Sequence, residues 1–91
     1  MQVKVRFLGL FSRYVGERER VFDITDGSTA ADLLLLIGNE YGARLPANFF
    51  DKETGRFHKS VHLARSGGAI DEDAELHDSD ELLVLFSLAG G

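Results

Sequence analysis

"LLVLFSLAGG", residues 82–91, decides how the chain is read. Leu82 to Phe86 form an unbroken apolar run that reads as a strand, and a single serine separates it from Leu88, Ala89, Gly90 and Gly91. Glycine lacks Cβ, so a glycine pair permits close backbone approach to another surface. Extended at ~3.3–3.6 Å per residue, Phe86 to Gly91 would span about 20 Å. The segment is expected to be a short probe anchored by a strand, with a carboxylate at its tip. Such a carboxylate titrates at about 3.3–3.7, so at neutral pH it is an anion and a poor electrophile. Making it reactive requires activation, and the usual biological route is attack on the α-phosphate of ATP, giving an acyl-adenylate and pyrophosphate.

The rest of the chain limits what can carry this probe. Its 91 residues are 44% apolar and 27% charged, which suits one globular domain. The expected boundaries are 1–91, with a flexible tail at about 87–91. The absence of cysteine excludes disulfides, zinc–thiolate sites, iron–sulfur clusters and a cysteine nucleophile. No apolar run approaches the ~20 residues that cross a bilayer, and the first residues lack a signal-peptide pattern. A soluble, cytoplasmic protein is the expectation. The formal charge of −5 argues against nucleic acid as a partner. No basic residue follows Arg65, whereas Asp71, Glu72, Asp73, Glu75, Asp78, Asp80 and Glu81 all lie beyond it. The run reads either as a solvated loop face or as an acidic collar beside the tail.

Upstream, "VKVRF" alternates, with Val3, Val5 and Phe7 on one face. A turn closed by Val15 and Gly16 leads to "RERVFDI", where Phe22 and Ile24 are the inward pair, so the two strands read as an opening hairpin. From residue 29 the period changes. Leu33, Ile37 and Tyr41 share one helical face, and Leu34 and Leu36 broaden it. The pattern predicts a helix over ~29–41 with Ser28 or Thr29 as N-cap, Asp32 in the first turn and Gly42 as its end. Leu35 is assigned to core or to helix propensity. "FFDKETGRFH" predicts a small hairpin with Gly55 at its left-handed position. "SVHLAR" predicts a strand with Val61 and Leu63 on one face, "SGG" a turn, and "ELLVLF" the last strand. One helix with several strands makes an α+β domain.

Side-chain chemistry is sparse. His58, His62 and His77 show no compact ligand spacing, with His58 and His62 expected on one face of a strand, and no metal site is expected. None of the serines sits in a G-x-S-x-G elbow, and neither a P-loop nor a G-x-G-x-x-G is present.

Taken together, "VKVRFLGLFSRYVG", "TAADLLLLI", "LHDSDELLVLF" and the final "AGG" resemble the ubiquitin-like β-grasp sulfur carriers. Within that group the chain is most similar to the small subunit of molybdopterin synthase, with the thiamine-pathway carrier a near relative. The resemblance implies a mixed sheet of four to five strands with one main amphipathic helix across it, the first and last strands being central neighbours. It implies that Gly91 is adenylated by a ubiquitin-activating-type enzyme and converted to a thiocarboxylate that donates sulfur. The tail Ser87, Leu88, Ala89 and Gly90 would insert into the large synthase subunit or an equivalent acceptor. The chain would bind no cofactor, ATP belonging to the activating enzyme, and would not be catalytic alone. Leu8, Leu83 and Leu85 would form an outward docking patch, whereas their alternative is burial in the core. Two features depart from the group's pattern: Phe86-Ser87-Leu88 stands where prolines are common, and Ser79 where a turn glycine is usual. A modifier joined to lysines through Gly91, a carrier for another pathway, and an interaction module with an inert tail remain alternatives.

Overall fold

The computed structural model describes residues 1–86. Strand β1 (Gln2–Phe7) is followed by a short helix α1 (Leu10–Val15), strand β2 (Glu19–Asp23) and helix α2 (Ala30–Tyr41). A 3-10 turn at Gly42–Arg44 leads to β3 (Phe50–Asp51) and β4 (Arg56–Phe57), then β5 (Val61–Arg65), β6 (Gly68–Ala69) and β7 (Glu81–Phe86).

One sheet has the order β2-β1-β7-β5-β6, and β3 and β4 pair separately. Strand β7 is central, parallel to β1 with Val5 opposite Leu82, and antiparallel to β5 with Leu63 opposite Val84. Every other pairing in the sheet is antiparallel, so the sheet is mixed. Strand alternation fills one face: Val3, Val5, Phe7, Leu82 and Val84 are all buried. Helix α2 lies over this face with Leu33 and Ile37 fully buried and Tyr41 edge-on to Phe7 at 5.4 Å.

Thr29 caps α2 in a capping box: its side chain accepts the Asp32 amide, and the Asp32 carboxylate accepts the Thr29 amide at 2.9 Å. The expected start is met. At the other end Gly42 does not take the left-handed conformation that stops a helix. It stays right-handed and continues into the 3-10 turn. Its glycine is required by packing, because a Cβ there would stand 2.5 Å from the Phe50 ring.

Several readings of the sequence need correction. The connection between β1 and β2 contains α1, which buries Phe11 and Val15 and ends at Gly16 with φ 81°. Six residues give too little periodicity to separate such a helix from a turn. Of the two assignments for Leu35, core is excluded and helix propensity is left: it is 57% exposed, because at 100° per residue it points away from the Leu33–Ile37 stripe. Leu36 is exposed as well, and only Leu34 broadens the buried face. His58 lies in the turn before β5 rather than on a strand with His62.

Ser79 occupies the left-handed region at φ 69°, the one non-glycine residue to do so among the described residues. Its amide donates to the Gln2 carbonyl at 2.7 Å, which holds the turn into β7. Left-handed backbone costs an L-residue about 1–2 kcal/mol, and glycine returns some of that to the unfolded chain's entropy. Ser79→Gly should therefore stabilise the fold by roughly 0.5–1 kcal/mol. A urea midpoint that falls would contradict this.

Candidate functional site: the sheet face and the root of the tail

Strand β7 delivers the chain to Phe86, opposite Val61, at one end of the sheet. Phe86 packs against Phe49 at 4.6 Å between ring centroids, and Phe49 stacks on Phe11 at 4.9 Å and 17°. Edge-to-face and offset pairs of this kind are worth about 0.5–1.5 kcal/mol each beyond burial. Phe49 is itself pinned, its amide donating to Pro46 and its carbonyl accepting the His58 amide at 2.7 Å. The last described residue is thus held by Phe49, from the segment before β3, which is itself backed by Phe11 of α1. Ser87, Leu88, Ala89, Gly90 and Gly91, the predicted probe, lie outside the described residues.

The face of β7 away from α2 carries Leu83 and Leu85, both half-buried, while Leu82 and Val84 are fully buried. Burial in the core, the alternative for these leucines, is excluded by that alternation. Leu83 sits between Arg6 of β1 and Ala64 of β5, and Leu85 beside His62. Leu8 follows β1 on the same end of the sheet and is 44% exposed. A hollow of about 240 Å³ at the tail root is lined by Leu8, Leu85, Phe86 and the start of α1. Leu10 and Tyr14, exposed on α1, enlarge the apolar surface there. The sequence could not single out these two, because α1 was not visible in it. Arg6 bridges Glu19 and Glu81 lower on this face, leaving the apolar part near Phe86 free of ion pairs among the described residues.

Among the described residues the acidic run is held near the start of β7, away from Phe86. Ala31 donates to the Glu72 carbonyl, Gln2 to the Asp78 carboxylate and Lys4 to the Asp80 carbonyl. These contacts fix the run at the N-terminal ends of α2 and β7. The length of β7, about 17 Å at ~3.3 Å per residue, separates it from Phe86. Arg65 ties it down, contacting Asp80 at 3.7 Å and donating to the Glu75 carbonyl at 2.9 Å.

Other polar groups serve the fold. The His58 Nδ1 accepts the Ser60 amide at 3.1 Å and pairs with the Ser60 hydroxyl at 2.7 Å, locking the turn into β5. No group of three His, Asp or Glu side chains suited to a metal occurs among the described residues. None of their helices is long and apolar enough to cross a membrane. The Tyr41 phenol accepts from Arg20 and donates to Glu17. Burial pushes its pKa up and outweighs the lowering by Arg20, while Arg20 is held protonated by its bonds to Tyr41 and Glu40. A raised phenol pKa adds stability that is complete below pH ~10 and disappears as pH climbs through the folded value. The urea midpoint should fall above pH ~10, and less steeply in Tyr41→Phe. Equal slopes would remove Tyr41 from that role.

A central β7 parallel to β1, an α2 crossing the sheet, and a last strand leading straight into the tail define a ubiquitin-like β-grasp protein. Solved structures agree over essentially the whole chain. Small archaeal modifier protein 1 from Haloferax volcanii matches with a TM-score of 0.80 at 19% identity, covering 100% of both chains. The modifier of the same name from Methanosarcina acetivorans matches with 0.75 at 26%, over 99% of this chain and 96% of that one. A candidate molybdopterin converting factor, subunit 1, from Pyrococcus furiosus matches with 0.74 at 22%, over 97% and 99%. The structural neighbours are thus two small archaeal modifier proteins and a candidate molybdopterin converting factor subunit, all of the same fold. Comparisons with protein-family models and with curated proteins return no match.

Proposed function

We propose that this protein is a ubiquitin-like carrier whose Gly91 carboxylate is activated by an adenylating enzyme and then carries sulfur as a thiocarboxylate. A carboxylate oxygen attacks the α-phosphorus of ATP and pyrophosphate leaves. A nucleophilic sulfur then attacks the acyl carbon and AMP leaves. The chain contributes the reacting carboxylate, a slender Ala89-Gly90-Gly91 approach and the Leu8–Leu83–Leu85 face for docking, while the partner holds the nucleotide. The reading rests most on one observation: β7, central in a β-grasp sheet, runs directly into Ser87-Leu88-Ala89-Gly90-Gly91. The acceptor we favour is the large subunit of molybdopterin synthase, where sulfur would pass to cyclic pyranopterin monophosphate. The Pyrococcus furiosus neighbour supports this choice.

A second reading, conjugation of Gly91 to lysines of other proteins, is supported by the two modifier structures. Both readings share the adenylate, so the test must look beyond it. Intact mass after incubation with ATP, a sulfur source and the activating enzyme should show one oxygen replaced by sulfur. Isopeptide-linked adducts recovered under denaturing conditions, without that mass change, would favour the modifier. Neither product, with the enzyme active on another carrier, would overturn both.

A further inference from the structure

The side of α2 opposite the sheet borders a groove that the tail chemistry does not use. Leu34 and Leu35 form one wall, and β4 with its flanking turns forms the other, contributing Phe57, Arg56 and Lys59; Glu72 also lines it. The cavity is about 380 Å³, within the range of surfaces that seat a side chain or small ligand. A single exposed leucine on a helix means nothing by itself. Here Leu35, 57% exposed, continues into half-buried Leu34 and Phe57, so the apolar surface is concave and contiguous.

The charges say what would fit. Arg56 and Lys59 make no ion pair among the described residues, which is equally true of Lys4, Arg13, Arg18, Arg44 and Lys52; what distinguishes these two is that they line the groove. Asp51 faces Arg56 across the β3–β4 hairpin but is turned to the Glu53 amide at 2.8 Å and the Thr54 amide at 3.3 Å. Two unpaired cations therefore flank an apolar groove on a chain of charge −5. Cations so placed attract and orient a negatively charged partner more than they stabilise the fold.

We propose that this groove is a second docking surface, taking an acidic peptide segment with an aliphatic anchor. The anchor sits between Leu35 and Phe57, and the carboxylates lie toward Arg56 and Lys59. Because α2 packs on the inner face of the sheet, the groove and the Leu8–Leu83–Leu85 face point to opposite sides of the domain. Both can be occupied at once. Recognition here does not depend on what happens at Gly91.

The test uses the isotope-labelled full chain and a short synthetic peptide with a central leucine pair followed by a run of aspartates. Its counterpart carries lysines in place of the aspartates. Saturable amide shifts at Leu34, Leu35, Phe57 and Lys59 are expected with the acidic peptide alone. Joint Arg56→Glu and Lys59→Glu substitution should weaken binding about tenfold or more. Leu35→Asp, on an exposed position, should do the same without lowering the melting temperature. Shifts centred on Leu83 and Leu85, equal binding of the lysine peptide, or indifference to charge reversal would each overturn the proposal. Removing Gly91 should leave this binding unchanged, which keeps its outcome separate from that of the carrier reading.

Discussion

A chain shortened by Gly91 will fold as the full chain does and will fail in ATP–pyrophosphate exchange with its activating enzyme. The shortened protein still ends in glycine and still presents a carboxylate, so chemistry at the terminus is not removed, only moved. The move is one residue, ~3.3–3.6 Å of extended chain. Displacing a reacting atom by about 1 Å costs on the order of a hundredfold in rate. An exchange rate at least about a hundredfold lower is therefore expected, with the melting temperature unchanged, since the buried core is built from residues 3–84. Gly91→Ala should fall between the two, its Cβ obstructing a passage built for bare backbone. Undiminished exchange in the shortened chain would mean that activation does not read this terminus, and the carrier and modifier readings would fail together.

What could be read from sequence follows the physics of each signal. Period-two alternation in "VKVRF" and the 3.6-residue stripe of Leu33, Ile37 and Tyr41 are local, and both elements stand where they were expected. The capping box is equally local: Thr29 and Asp32 are three residues apart and need only each other. Misplacements arose where position in space departs from position in sequence. The acidic run precedes Phe86 closely in sequence, yet β7 carries the chain across the sheet between them, so the end of the run and Phe86 lie at opposite ends of that strand. Gly42 resembled a helix terminator, but its reason lies in the Phe50 ring, a contact that forms only when the hairpin folds back on α2. The clamp on Phe86 has the same origin. Phe11, Phe49 and Phe86 are dispersed through the chain and meet only in the folded state. The "LLVLF" run hid its two faces because both are apolar, one for the core and one turned outward.

Those two faces make neighbouring leucines separable by experiment. Leu83→Asp and Leu85→Asp should leave the fold intact, because Leu82 and Val84 carry the packing and the outward positions are already part-solvated. An aspartate at 83 would stand beside Arg6 and one at 85 beside His62, so neither charge would be stranded. At an interface, by contrast, a charge in place of a central aliphatic anchor removes about 2–4 kcal/mol. That corresponds to a loss of roughly 30- to 1000-fold in affinity for the activating enzyme. Leu82→Ala should behave in the opposite way. It empties a fully buried site, costs about 2–5 kcal/mol of stability, and leaves the affinity of the molecules that remain folded close to that of the parent. If Leu83→Asp and Leu85→Asp instead lower the melting temperature as Leu82→Ala does, the outward face is structural. If they change neither stability nor affinity, partners dock elsewhere and the tail must be presented without help from this surface.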